Sequence, residues 1–259
     1  NSPDPIGLIE KYGADGVRMG MLLAAPAGND ILFAESLCEQ GRNFCNKIWN
    51  AFRLVKGWEV AELPQPEVSR MAIKWFDAKL KATVTEMDDL YSKYRLNEAL
   101  MTAFKLFTDE FSGWYLEMVK PAYQQPIDRD TYDATLRFFD KLLHPFMPFI
   151  TEELWQHIYD RKDGESIMVS VLDAGVSDAE GKTVVAEFET VKKIVAGVRA
   201  VRNQKNIAPK EPLELIAIGK NNWEAYNSVL LKMSNLSGIR ESDDSSGDAV
   251  KFMVGTDEY

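Results

Sequence analysis

Apolar residues recur at helical spacing almost without a break from Phe33 to about Asp163, and this periodicity restricts the fold more than any other property of the chain. Winding residues 37–55 at about 100° per residue places Leu37, Gly41, Phe44, Cys45, Ile48, Phe52 and Val55 on one broad side, which is predicted core. Residues 69–94 repeat Met71, Trp75, Ala78, Leu80, Ala82, Val84, Met87 and Tyr91 over about seven turns. Residues 96–118 follow with Leu100, Phe104, Phe107, Phe111, Trp114 and Tyr115, and Pro121 stops them. A helix over 130–143, ended by His144-Pro145, and another from near Pro148 through Thr151, Leu154, Trp155, Ile158 and Tyr159 complete the series. Long amphipathic helices on short loops specify an antiparallel bundle, with the aromatic stripes as its core.

Either side of this run the pattern changes. Asp4-Pro5 reads as a cap with proline at the first helical position, opening a short helix that Gly13 ends. Asp15 is expected to cap a second helix to about Ala25, with Val17, Met21 and Leu22 inward and Arg18 outward, before residues 26–30 break the chain. Two helices this small must pack on a neighbouring unit. Beyond residues 161–164 the β-branched stretch 166–171, a helix over 184–204, a strand over 213–218, a helix over 222–233 and a strand over 250–254 describe a small α/β unit, with a flexible acidic loop at 241–248. The chain therefore reads as mainly α, an antiparallel helical bundle followed by a small α/β domain, divided into residues 1–32, 33–163 and 164–259.

The polar side of the 37–55 helix is unusual. Glu39, Arg42, Asn43, Asn46, Lys47, Asn50 and Arg53 fall within an arc of roughly 140°. Asn costs a helix roughly 0.6 kcal/mol relative to Ala, yet three lie far from either end. Asn offers a donor and an acceptor to a base edge while Arg and Lys meet phosphate, so single-stranded or loop RNA is a natural partner. A solvated face carrying chance asparagines is the competing reading. The net charge of −10 argues against a generic nucleic-acid binder, so binding would have to rest on local basic surfaces. Two windows have cations and no acid: residues 40–58, with Arg42, Lys47, Arg53 and Lys56, and residues 190–210, with Lys192, Lys193, Arg199, Arg202, Lys205 and Lys210. The second is equally compatible with an ordinary solvated face.

No chemistry-bearing constellation is visible. The sequence has neither a G-x-x-x-x-G-K nor a G-x-G-x-x-G loop, its histidines are His144 and His157 alone, and Asp88-Asp89, Glu152-Glu153 and Asp243-Asp244 have no His or Lys arranged beside them. His144 reads as a helix-end residue bonding the last carbonyls. Cys38 and Cys45 are seven apart on one helix, which holds their Cα atoms about 10 Å apart, too far to bridge. They read as buried thiols in a reducing cytosol, and no metal site is expected. No apolar run of membrane-spanning length occurs, and the start of the chain has neither a signal-peptide pattern nor Met, which suggests a piece of a longer polypeptide.

Gly41-Arg-Asn-Phe-Cys-Asn-Lys-Ile-Trp-Asn-Ala-Phe-Arg53 together with His144-Pro-Phe-Met-Pro-Phe-Ile-Thr-Glu-Glu-Leu-Trp-Gln156 closely resembles the C-terminal half of class I aminoacyl-tRNA synthetases of the valyl, isoleucyl and leucyl group. The resemblance runs in order along nearly the whole chain. Ala25-Pro-Ala-Gly-Asn-Asp30, Asn46-Lys-Ile-Trp-Asn-Ala-Phe-Arg53 and Val198-Arg-Ala-Val-Arg-Asn-Gln-Lys-Asn-Ile-Ala-Pro209 are most similar to valyl members, and no cysteine follows Cys45, unlike the zinc module usual in isoleucyl ones. The resemblance implies a stem-contact segment at 1–32, an anticodon-binding bundle at 33–163, and tRNA(Val) as partner. Its docking face would be Arg42 to Arg53, with Arg42, Asn43, Asn46, Lys47, Asn50 and Arg53, while Arg199, Arg202, Lys205 and Lys210 are a second candidate surface drawn from the 190–210 charge window alone. It implies a cytoplasmic ligase whose catalytic and editing domains lie elsewhere on the polypeptide, ATP with Mg serving the catalytic domain and no cofactor serving this piece. A helical protein-interaction module, or the equivalent part of an isoleucyl enzyme, is the alternative.

Overall fold

The computed structural model describes residues 4–25, 33–139, 143–171, 175, 177–219, 223–243 and 249–259. The chain is mainly helical, a helical bundle with a small α/β part. In order it forms α1 (Pro5–Tyr12), α2 (Ala14–Leu23), α3 (Glu35–Lys56), β1 (Val60–Ala61), α4 (Glu67–Ser92) and α5 (Leu96–Lys105). The backbone then widens into a π-helix over Leu106–Tyr115 and closes with α6 (Leu116–Val119). There follow β2 (Ile127–Asp128), α7 (Arg129–Arg137), α8 (Pro148–Ile158), α9 (Ala179–Lys205), β3 (Leu213–Ile218), α10 (Asn227–Ser234), β4 (Leu236–Ser242), β5 (Met253–Val254) and β6 (Asp257–Glu258).

Two compact units share these elements, each drawn from interleaved segments. The first takes residues 1–64, 80–114 and 121–177, the second residues 65–79, 115–120 and 178–259, so α4 gives its first half to the second unit. Within the first unit the aromatic stripes interlock: Phe44 lies 4.6 Å from Phe104 and 5.7 Å from Phe107, and Phe139 meets Phe52 and Phe111 edge-on. Each fully buried ring of this kind contributes about 2–3 kcal/mol. In the second unit Trp75 stacks on Phe188 at 4.0 Å, and Phe76 meets Tyr115 at 5.1 Å.

The small sheet has the order β4-β3-β6-β5, with β3 and β4 parallel across α10 and the β5–β6 hairpin antiparallel beside β3. β4 occupies residues that carry no strand signal in the sequence. The expected strand at 166–171 does not form: Ile167–Val169 is a 3-10 turn. Its backbone is already engaged, because the Glu152 carboxylate accepts from the Ile167 N–H and the Ser166 hydroxyl, and Ser166 Oγ accepts from the Met168 N–H. The expected helix at 130–143 ends at Arg137, with residues 140–142 outside the described set. The breaks expected at 26–30 and across much of 241–248 also lie outside it.

Candidate nucleic-acid interface

The candidate interface lies on α3, and α3 is seated by glycine. A Cβ on Gly41 would stand 2.5 Å from the Gly16 carbonyl oxygen, and one on Gly20 would stand 2.7 Å from the Cys38 nitrogen. Backbones so close fix how α3 is rotated against α2. α2 is turned accordingly: Gly16, Met19 and Gly20 are buried, whereas Met21, expected inward, is exposed. Asp15 does not cap its own helix. Its buried carboxylate accepts from the Phe149 and Ile150 N–H groups at the start of α8, while the Arg18 guanidinium donates to the Phe146 and Pro145 carbonyls. The Asn97 amide closes the other end of α2 by donating to the Leu22 and Leu23 carbonyls.

With Cys38, Gly41, Phe44, Ile48, Phe52 and Val55 buried, the opposite side of α3 is a ridge. Asn43, Asn46, Lys47, Asn50 and Arg53 are all exposed, and none of their side chains has a hydrogen-bond or ion-pair partner among the described residues. Arg42 is half-buried and partly engaged, 3.3 Å from the Glu39 carboxylate and 5.5 Å from the centre of the Tyr12 ring. Beside the ridge runs a groove of about 380 Å³ lined by Ser36, Glu39, Gln40, Asn43, Lys47 and Thr108, with the rings of Phe44 and Phe104 as its apolar wall. Cys38 is buried and Cys45 half-buried; burial pushes the Cys45 thiol up to about 12, helped by the Asp15 charge, so neither is a ready nucleophile.

The second expected surface divides. Arg199, Lys205 and Lys210 are exposed along the last turns of α9 and the loop after it. Arg202 is a correction: it is buried, and its guanidinium donates to the carbonyls of Ala208, Glu211, Ser234 and Asn235 at 2.7–3.1 Å, leaving nothing for RNA. Its position one turn after Val198, in step with Val191 and Val195, is the signal that places it inward. Lys192 is likewise half-buried, paired with Glu189 and lying over Trp75. His144 is a second correction: its Nδ1 is 2.7 Å from Thr151 Oγ1 and its Nε2 3.0 Å from Met168 Sδ, so it ties the loop before α8 rather than bonding helix-end carbonyls.

Among the described residues no group of His, Cys, Asp or Glu side chains is placed to hold a metal ion, and no helix is long and apolar enough to cross a membrane. The arrangement is one of free donors and acceptors beside a groove. The family model for the anticodon-binding domain of tRNA ligase matches residues 73–217, more than half of the chain. This chain belongs to that family. The anticodon-binding domain match opens inside α4 and closes within β3, whereas the first two relatives below match over the whole of this chain. The valine–tRNA ligase of Phocaeicola vulgatus is 63% identical over all of this chain, and that of Parabacteroides distasonis 60% identical, again over all of it. The Fusobacterium nucleatum valine–tRNA ligase is 34% identical over 86% of the chain. The chain spans about 30% of the length of the first two of these relatives. Among solved structures, the ternary complex of Agrobacterium radiobacter K84 agnB2 LeuRS with tRNA and LeuAMS covers 71% of this chain and 21% of its own, at 17% identity and a TM-score of 0.42.

Proposed function

We propose that this anticodon-binding domain is the tRNA-gripping portion of a valine–tRNA ligase. It holds the anticodon loop of tRNA(Val) on the α3 ridge and positions the tRNA for ATP-dependent aminoacylation by a catalytic part of the longer polypeptide. The observation that carries this reading is the row of exposed amides and cations, Asn43, Asn46, Lys47, Asn50 and Arg53, with no side-chain partner among the described residues. Cations neutralise phosphate and set affinity; amides meet base edges and set selectivity. Identity of 60% or more over the whole of this chain to valine–tRNA ligases supports valine over isoleucine as the cognate amino acid.

In this reading residues 1–32 contact the tRNA stem, residues 33–163 read the anticodon, and exposed Arg199, Lys205 and Lys210 of the 164–259 segment give a second phosphate contact. ATP and Mg are used by the catalytic part, and no residue of this chain is assigned to them. The enzyme works in the cytoplasm, alongside its own catalytic and editing domains. A gel-shift titration with valine and isoleucine tRNAs at about 50 and 200 mM salt tests it. Tighter retention of the valine tRNA with a steep loss at the higher salt is expected. Salt-insensitive binding of both, or no retention at either salt, overturns it in favour of a helical module that docks on protein.

A further inference from the structure

In the small α/β part, β3 is bonded along one edge only for most of its length. Its register with β4, and the bonds from the Leu213 N–H to the Asn235 carbonyl and from the Gly219 N–H to the Ser242 carbonyl, commit the backbone groups of Leu213, Leu215, Ala217 and Gly219 to β4. Those of Glu214, Ile216 and Ile218 therefore face the other edge, where β6 pairs with Ile218 alone. Beside Glu214 and Ile216 lies a partly enclosed cavity of about 190 Å³, with Val198, Val201, Ile207 and Leu215 among its apolar walls. The sheet order places β5 beyond β6, and residues 249–252, which lead into β5, contribute the cavity's far side. Phe252 and Tyr259 exchange both backbone hydrogen bonds, at 2.9 and 3.0 Å, so Val250 on the same strand line also turns its N–H and C=O toward the cavity. These groups of Glu214, Ile216 and Val250 have no partner among the described residues. Phe252 does not fill the space: its ring stacks on Tyr259 at 5.5 Å and lies so close to α9 that a Cβ on Gly197 would stand 2.2 Å from it.

Backbone donors and acceptors that converge from two sides on an apolar-walled space are satisfied together by one inserted strand. We infer that this cavity is a slot for an extended segment of the same longer polypeptide, which runs in line with β6, antiparallel to β3, and joins the sheet between β3 and residues 249–252. The polypeptide itself is the source because this chain spans about 30% of the length of the valine–tRNA ligases that match all of it, and a tethered segment meets so short a slot at high effective concentration. Residues 213–216 of β3 line the slot, a length of about 13 Å, so about four residues of the segment pair there. Alternation fixes their chemistry. The side chain opposite Leu215 enters among Val198, Val201 and Ile207 and is apolar; a cavity of about 150 Å³ already holds a benzene ring, so a leucine or isoleucine fits. Its two neighbours share the face of Glu214, whose carboxylate lies 3.1 Å from Arg240 Nε, and are polar. The inference rests on reading this chain as one portion of a longer ligase and is independent of where tRNA binds.

The test compares backbone amide exchange, resolved to single residues, in this chain and in the intact polypeptide. In this chain the amides of Glu214 and Ile216 should exchange at least about tenfold faster than those of Leu215 and Ala217, which β4 holds. In the intact polypeptide all four should be slow. Val201→Trp fills the slot and should restore fast exchange at Glu214 and Ile216 in the intact polypeptide, while continued protection of Leu215 and Ala217 shows that the sheet is folded. Val250→p-benzoylphenylalanine, irradiated in the intact polypeptide, should cross-link to a segment outside the residues of this chain, and it decides the matter should the tryptophan variant fail to fold. Equally fast exchange of Glu214 and Ile216 in both proteins overturns the slot. So does protection that survives Val201→Trp in a folded sheet, or a cross-link that falls within this chain or on a separate protein. The tRNA titration above is read without reference to these amides, so the two readings fail separately.

Discussion

The carboxylate of Asp15 in α2 accepts a 2.7 Å hydrogen bond from the backbone N–H of Ile150, 135 residues further along the chain. A second bond, from Phe149, makes Asp15 a cap supplied to α8 by another helix. Burial pushes its carboxyl above the ordinary range, against the pull of those two N–H groups. Replacing Asp15 with Ala leaves both amides unpaired and should destabilise the protein by about 2 kcal/mol, visible as a lower urea midpoint.

Gly41→Ala should be worse than its single added methyl suggests. The new Cβ would stand 2.5 Å from a backbone oxygen that cannot rotate away, so α2 and α3 must part, at about 3 kcal/mol or more. Asn46→Ala, on the exposed ridge, should be neutral or slightly stabilising because Ala is the better helix former. Thermal unfolding of the two variants side by side checks the contrast.

On the ridge, Arg42→Ala and Arg53→Ala should weaken binding of all tRNAs alike and flatten the dependence of log affinity on log salt by about 0.7–0.9 for each phosphate no longer neutralised. Asn46→Ala and Asn50→Ala should leave that slope intact and shrink the preference for valine over isoleucine tRNA. Titrations of each variant at several salt concentrations separate the two behaviours.

Arg202 and Lys205 are three residues apart and should behave oppositely. Arg202→Met strands four carbonyls and should cost about 3 kcal/mol or more of stability, since bonds to a charged donor exceed neutral ones. Lys205→Ala should leave stability almost unchanged and reduce only RNA affinity. Urea melts and gel shifts on both variants decide it.

Burial holds His144 below the ordinary histidine value of 6.5, against Glu152 and Asp15, whose charges pull the other way. Its proton therefore prefers the unfolded chain. Stability that is fully present above pH 6.5 is lost as the pH falls from there through the lower folded-state value. His144→Gln should flatten this part of the profile, read as the change in urea midpoint between neutral pH and about pH 5.

Much of the fold is legible in the residue pattern, and the exceptions share a cause. The α3 ridge can be drawn from spacing alone because Gly41, Phe44, Ile48, Phe52 and Val55 all obey one helical period. Arg202 reads as outward only while the cations of a one-signed run are taken together; its phase against Val191, Val195 and Val198 points the other way. Residues 96–118 read as one helix because α and π turns carry similar apolar spacing, and only backbone hydrogen bonds distinguish them. Asp15 reads as a local cap because sequence proximity favours that role; its true partners at Phe149 and Ile150 are brought near only by the fold. The groove joins α3 to Phe104 and Thr108, about sixty residues on, and no periodicity within either segment announces that pairing.

Glycine at Gly16, Gly20 and Gly41 anchors α3 from behind, while Asn43, Asn46, Asn50 and Arg53 take no part in holding it there. Its outward lettering can consequently be rewritten, by drift or by an engineer retargeting the domain to a different transcript, without renegotiating the joint beneath.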